Sequence, residues 1–171
     1  MNFKKKKRVN LFISLVLLLV VIIGASIIGV RVGNTNAEIK KNTQPDLYEL
    51  TTPEDWSIRT LPFSSLSFEK NGNVIGGVDV VEYYPDQPIY QLRSNHTEVI
   101  ESKKLEGYFT EAVLEKLKQT PPAASGDLTV TESTHIYFIL KDKNKAYDLH
   151  FKTQDVDEQT ALTIAKSLKL K

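Results

Sequence analysis

From residue 47 onwards, short apolar runs alternate with polar positions and are separated by Pro, Gly, Asn and Asp, as is typical of antiparallel strands. The clearest turn is Asn71-Gly72, which joins the runs 66–70 and 73–83 and tolerates the positive φ angles of a tight hairpin. Gly76-Gly77 in the second run predicts a bulge or a close backbone approach. This part of the chain is therefore predicted to be mostly β.

A second hairpin is predicted from residues 135–141 and 146–152, which flank the polar turn 142–145. If the hairpin is symmetric about that turn, His150 lies opposite Tyr137 and His135 lies opposite Lys152. Its two faces differ in composition, and the polar face is expected to lie mostly in solvent. The apolar face carries Ile136, Phe138, Leu140, Tyr147, Leu149 and Phe151, and the polar face carries His135, Tyr137, Asp148, His150 and Lys152.

Three further segments complete the prediction. Residues 97–105 form a strand, and residues 108–118 are assigned to its hairpin partner, because the short Glu106-Gly107 connection outweighs a helix-forming composition. A helix over residues 156–168 begins at an Asp155 cap, with Glu158 completing a capping box. The predicted fold class is α+β, a single antiparallel sheet with the C-terminal helix packed on one face.

The longest apolar run in the chain, residues 9–30, precedes this domain. Its 22 residues contain no charge and reach ~33 Å as a helix, enough to cross a hydrocarbon core of ~30 Å. A cleaved signal peptide is the alternative, but its apolar core is shorter, at about 7–15 residues. The sequence therefore predicts one transmembrane helix that remains as an anchor in the lipid bilayer.

The flanking charges predict the orientation of that helix. Residues 1–8 form a basic tail with five cations, whereas Arg31 is the single cation at the other end, which places the N-terminus in the cytoplasm. Residues 31–46 are polar and without period, and are predicted to be a flexible linker. Residues 47–171 then form one domain on the outer side of the cell membrane.

Charge and cysteine content narrow the class of partner. Six of the 22 lysine and arginine residues lie at or before Arg31, which leaves 16 against 21 acidic residues, a net charge of −5 for the remainder. This balance argues against a nucleic acid partner.

The chain has no cysteine, so the outer domain depends on packing rather than on disulfides, which is typical of a bacterial exported protein. The sequence does not define an oligomeric state.

No arranged nucleophile, base and oxyanion donor is found on the predicted elements, and we expect no cofactor. His135 and His150 would need further ligands to hold a metal, so no metal site is predicted. The alternative is a hydrolase acting on cell wall or lipid through His135, Asp148 and His150. A partner-binding surface is expected instead, formed by the polar face of the second hairpin, the 121–126 loop and the turn at Asn95 and His96.

Residues 47–170 resemble a Gram-positive family of small exported domains, found alone behind an anchor or associated with membrane β-lactam sensor-transducer proteins. The features that carry the resemblance are Ile75-Gly76-Gly77, Asn95-His96, Pro122-Ala123-Ala124-Ser125, His135, Tyr147-Asp148-Leu149 and Ile164-Ala165-Lys166-Ser167-Leu168. The order of strands with a closing helix also resembles the PsbP-type α/β sandwich. The resemblance implies a non-catalytic accessory or sensing module that binds another envelope protein, and the chain lacks the penicillin-binding motifs of the sensors.

Overall fold

The computed structural model describes residues 39–44 and 47–171, with side chains from residue 47 onwards. Within these residues there are ten strands and one α-helix, which lies near the C-terminus. Short 3₁₀ turns lie at Pro62–Ser64, Ile89–Leu92, Ala123–Ser125 and Lys141–Lys143. The regular elements are β1 (Ile39–Gln44), β2 (Tyr48–Pro53), β3 (Ser57–Thr60), β4 (Leu66–Lys70), β5 (Asn73–Glu82), β6 (Thr97–Leu105), β7 (Glu111–Gln119), β8 (Thr131–Leu140), β9 (Lys145–Lys152), α1 (Glu158–Ser167) and β10 (Lys169–Leu170).

Seven strands form the main sheet, in the order β3-β4-β5-β9-β8-β7-β6, and every pair in it is antiparallel. Three predicted hairpin features are confirmed. Asn71 and Gly72 have φ values of 52° and 78° and close the β4–β5 hairpin. Residues 111–119 form a strand between β6 and β8, although their composition favours a helix. A bulge in the β4–β5 pair lies beside Gly76-Gly77.

One face of this sheet, the core face, packs against α1 and strand β2. The apolar residues predicted for it are all buried, and Tyr48 and Leu50 of β2 reach the same cluster. Trp56 packs there against Phe68 and Phe151, with ring centroids 6.0 Å from each. The side of the C-terminal helix that points to this cluster carries Ala161, Leu162, Ile164, Ala165 and Leu168. The predicted layering of sheet and helix is therefore confirmed.

Strands β1, β2 and β10 form a second, three-stranded sheet in the order β1-β2-β10, so the prediction of a single sheet is wrong. Its first strand, Ile39–Gln44, belongs to the stretch predicted as linker. Strand pairing uses backbone groups, and a polar segment at the edge of a sheet does not need an apolar face.

The predicted membrane helix over residues 9–30 lies outside the described residues, and no helix within residues 39–44 and 47–171 is long and apolar enough to cross a membrane.

The C-terminal helix begins later than predicted. Asp157, rather than Asp155, is its N-cap, and the Asp157 carboxylate accepts hydrogen bonds from the backbone N–H and the hydroxyl of Thr160, both at 2.8 Å. Asp155 instead closes a turn in which its backbone N–H donates to the carbonyl of Lys152. That turn buries Val156 in the core, so Val156 precedes the helix rather than starting it.

The β8–β9 hairpin also differs from the prediction in register. His135 lies opposite His150 and Tyr137 lies opposite Asp148, two residues away from the predicted pairing. The connection consists of residues 141–144 and ends at Asn144, whose φ of 49° is left-handed. Because side chains alternate with a period of two, this shift leaves each residue on its predicted face.

The second face of the main sheet, opposite the core face, is partly covered. Residues 83–93, which connect β5 to β6 along the chain and are here called the crossing segment, pass over this face. Tyr83, Ile89 and Leu92 of the segment pack with Ile139 and Ala146 of the sheet. The expectation that this face lies mostly in solvent is therefore wrong around β8. Tyr137, expected to be exposed, is fully buried.

Four charged side chains connect α1 to the edge of the main sheet. Glu158 accepts from the ammonium groups of Lys103 and Lys116 at 2.6 and 2.8 Å, and Glu101 lies 2.9 Å from Lys116 and 3.2 Å from Lys103. The pKa of Glu158 is lowered, most by the hydrogen bond from Lys103 and next by the one from Lys116. The pKa of Glu101 is lowered by the same two lysines, with Lys116 contributing more than Lys103. Both carboxylates are thus stabilised in their charged form.

This network predicts a loss of stability in acid. A carboxyl group whose pKa is lower in the folded state stabilises the fold above its ordinary pKa, and this contribution is lost as the pH falls through the lowered value. We expect the free energy of unfolding, followed by Trp56 fluorescence, to fall between about pH 5 and pH 3. Glu158→Gln should flatten this dependence. Glu132→Gln should not, because it removes an exposed carboxylate that has no ion pair in the described part of the chain. Identical profiles for both variants would contradict this role of Glu158.

Candidate functional site

Titratable side chains meet at the middle of the second face. Strand register places Gly77, His150, His135 and Glu115 in one row across β5, β9, β8 and β7. The next row contains Asp79, Asp148 and Tyr137. We refer to Asp79, His135, Asp148 and His150 as the imidazole–carboxylate cluster.

His135 is held between a carboxylate and a hydroxyl. Its Nδ1 lies 2.9 and 3.0 Å from the two carboxylate oxygens of Asp148, and its Nε2 lies 2.9 Å from the Oγ of Ser133. Because a carboxylate only accepts, Nδ1 carries the proton, and in the neutral imidazole Nε2 then accepts from the Ser133 hydroxyl. Ser133, His135 and Asp148 thus have the order of contacts found in serine hydrolases.

His150 forms the second half of the cluster. Its ring stacks on that of His135 with centroids 5.7 Å apart, and its Nδ1 lies 3.7 Å from a carboxylate oxygen of Asp79. The ring lies over Gly77, where a Cβ would come within 3.3 Å of two of its atoms and within 2.3 Å of the Leu66 carbonyl oxygen. Glycine at position 77 therefore provides the space that the imidazole occupies.

The cluster is anionic when its imidazoles are neutral. Asp79 and Asp148 lie directly opposite each other on neighbouring strands, an arrangement in which like charges repel. Each carboxylate has an imidazole beside it, which offsets the repulsion fully only when that imidazole is protonated. The side chain of Asp148 is 12% exposed and that of Asp79 is 48% exposed, so the negative charge is accessible mainly at Asp79.

A buried ion pair lies next to the cluster. Arg93 of the crossing segment donates from Nε and Nη2 to the two carboxylate oxygens of Glu115, both at 2.7 Å. The hydroxyl of Ser102 also donates to Glu115, at 3.0 Å. Glu115 is fully buried, and its hydrogen bond raises the pKa of Arg93. This pair joins the crossing segment to β7.

The structure brings together four of the six predicted surface residues, namely His135, Tyr137, Asp148 and His150. Asn95 and His96 are exposed, and His96 adopts a left-handed φ of 61° at the start of β6. In the described part of the chain, no hydrogen bond, ion pair or ring contact joins these two residues to the other four. Tyr137 stacks on His135 at 5.6 Å but is buried, so it is corrected from a surface contact to a supporting residue.

Four residues of this region were not selected from the sequence. Ser133 precedes His135 by two positions, a spacing that places both side chains on one face of a strand, so this signal was present. Asp79 likewise shares a face with Gly77 in β5. Arg93 and Glu115 offered no comparable signal, because their contact depends on the path of the crossing segment.

The expectation of no metal and no cofactor stays a prediction. Within residues 39–44 and 47–171, no group of three or more His, Cys, Asp and Glu side chains is arranged to hold a metal ion. The two imidazoles instead direct their Nδ1 atoms to carboxylates. The groups present are suited to hydrogen bonding and proton transfer.

Comparison with solved structures identifies the fold. The solution structure of cyanobacterial PsbP (CyanoP) from Synechocystis sp. PCC 6803 aligns with a TM-score of 0.50 and 14% identity, over 84% of this chain and 99% of that one. The chain has a PsbP-like fold. A crystal structure from Bacteroides thetaiotaomicron VPI-5482 aligns with a TM-score of 0.51 and 13% identity, over 77% of this chain and 48% of that one. No family model and no curated protein matches the sequence.

At these identities the PsbP-like fold is shared and nothing more specific follows. The α+β prediction is confirmed in its main points, a largely antiparallel sheet with one C-terminal helix. The function has to be argued from the cluster itself.

The environment of Tyr137 leads to a prediction about stability. Its hydroxyl is buried and has no hydrogen-bond partner among the described residues. A buried hydroxyl without a partner costs about 1–3 kcal/mol, so Tyr137→Phe should leave the free energy of unfolding unchanged or raise it. Tyr137→Ala removes a buried ring and should lower it by about 3–5 kcal/mol. Chemical denaturation followed by Trp56 fluorescence measures both, and a loss of more than about 2 kcal/mol in Tyr137→Phe would show that the hydroxyl is bonded.

Proposed function

We propose that this protein is a membrane-anchored, non-catalytic accessory or sensing module whose outer domain binds another envelope protein. The anchor in this proposal is residues 9–30, and the domain lies on the extracytoplasmic side of the cell membrane. The observation that carries the proposal is the imidazole–carboxylate cluster, in which polar, partly exposed side chains stand on a sheet face. Flat surfaces with a polar, hydrogen-bonding composition are suited to macromolecular partners.

The charge of the cluster defines the chemistry of the partner. With neutral imidazoles, Asp79 and Asp148 present two negative charges, and Lys152 is the cation that the sequence places on the same face of β9. A partner surface with an arginine or lysine side chain complements this arrangement. Exposed Tyr84 and Tyr90 of the crossing segment extend the surface with aromatic rings, which are enriched at protein interfaces.

A photo-crosslinking experiment in intact cells tests this proposal. The full-length chain carries a photoreactive amino acid at Tyr90 or at His96, and a matched control carries it at Thr163, which is exposed on α1. We expect a discrete crosslinked envelope protein from the first two positions and not from Thr163. Asp79→Asn should reduce the crosslink, whereas Asp142→Asn, in the β8–β9 turn, should not. Crosslinking from Thr163 alone, or from none of the three positions, would overturn the proposal.

The contacts of Ser133 favour a second candidate, an ester hydrolase. In this reaction the Ser133 oxygen bonds to the acyl carbon while its proton moves to Nε2 of His135, and the imidazolium then protonates the leaving alcohol. Water hydrolyses the resulting acyl-serine by the same proton transfers in reverse. Asp148 holds the required tautomer of His135. The backbone N–H groups around Ser133 lie in the ladders with β7 and β9, which leaves Lys152, opposite Ser133, as the donor for an oxyanion.

A serine-directed fluorophosphonate probe distinguishes the two candidates. If the hydrolase reading is right, the full-length protein is labelled at Ser133, labelling is lost in Ser133→Ala, and it falls at least tenfold in His135→Gln. Ser125→Ala removes an exposed loop serine and serves as the control. Equal labelling of Ser133→Ala and the parent protein, or no labelling of either, would reject the hydrolase and leave the binding function.

A further inference from the structure

A cleft lies on the second face at some distance along the sheet from the imidazole–carboxylate cluster. It is bounded by the crossing segment on one side and by β6, β7 and the end of β8 on the other, and its volume is about 450 Å³. This size falls within the ~300–1,000 Å³ range of small-molecule sites. Its apolar lining is formed by Tyr83, Pro85, Ile89, Val113 and Ile139.

The wall of the cleft is held in place by local hydrogen bonds. The hydroxyl of Tyr83 donates to the backbone carbonyl of Gln87, and the side-chain amide oxygen of Gln87 accepts from the backbone N–H of Tyr84 at 3.0 Å. Ile89 packs on the buried Ile139 at the base. A cleft that is already formed lets a ligand bind without the cost of ordering its walls.

The polar rim is predominantly cationic. Lys141 lies 2.9 Å from Glu111 and lowers the pKa of that carboxyl, so these two charges compensate each other. The Lys103 side chain points to the core face, where Glu158 and Glu101 bind its ammonium, so it adds no charge to the rim. Lys104 has no ion-pair partner within the described part of the chain, and its charge also lowers the pKa of Glu111, which places it near this pair. The rim thus has one uncompensated positive charge.

We propose that this cleft binds a small organic anion with an apolar body, with the anionic head on Lys104 and the body on Ile89, Val113 and Ile139. A carboxylate accepts a charge-assisted hydrogen bond from an ammonium, and the apolar lining favours an aryl or alkyl group over a fully polar anion. The inference is independent of the proposed function, because none of these residues belongs to the imidazole–carboxylate cluster.

Methyl NMR on the full-length protein in phosphocholine nanodiscs tests the proposal with 4-phenylbutyrate as the probe. Ile89 and Ile139 line the cleft, whereas Ile164 lies on α1 against the core face and serves as an internal reference. We expect the methyl signals of Ile89 and Ile139 to shift with a Kd of about 1 mM or tighter, while that of Ile164 stays unchanged. The neutral analogue 4-phenylbutanol should bind at least fivefold more weakly.

A pair of lysine variants isolates the role of charge. Lys104→Gln should weaken 4-phenylbutyrate about tenfold, as expected for loss of a charge-assisted hydrogen bond, and should leave 4-phenylbutanol unaffected. Lys118→Gln removes a partly exposed cation from β7 outside the cleft and should change neither ligand. The proposal is overturned if Ile89 and Ile139 do not shift up to about 10 mM probe, or if the alcohol binds as tightly as the anion.

Discussion

The ion pair between Arg93 and Glu115 fixes the architecture of the second face. A buried pair adds little net stability when intact, because desolvation offsets the attraction, but losing one partner costs about 3–5 kcal/mol. Its bidentate geometry therefore acts mainly as a positional constraint on the crossing segment. The burial of Tyr137 and the shape of the lysine-rimmed cleft both follow from where that segment lies.

Periodicity was sufficient to predict most of the main sheet. A strand has a side-chain period of two, so even the register error in the β8–β9 hairpin left His135, Asp148 and His150 on the right face. The grouping of these three residues could thus be predicted. Their hydrogen bonds could not be predicted. A register shift of two residues keeps each side chain on the same face of the sheet but changes which side chains lie opposite each other.

The errors arose where a residue's environment is set by segments distant in sequence. Tyr137 alternates with apolar core residues and looks like a solvent-facing position, but it is fully buried and the charge of Arg93 from the crossing segment lies near its hydroxyl. Strand Ile39–Gln44 lacks an apolar pattern and is identified by its backbone pairing with β2. Glu115 is a further example. A charged residue within a strand usually indicates an exposed position. The Glu115 carboxylate is nevertheless buried, and Arg93 and Ser102 donate hydrogen bonds to it.

The same sheet face carries charges of opposite sign in two separate places. Asp79 and Asp148 make the imidazole–carboxylate cluster anionic, while Lys104 and Lys141 outnumber Glu111 at the cleft. The register places Tyr137 and Val113 between Asp148 and Lys104 along one row, so a buried ring and an apolar side chain separate the two regions. The larger apolar core of the domain lies on the other face. The charge separation is a property of this sequence, and the chemistry of any ligand has to be sought there rather than in the fold.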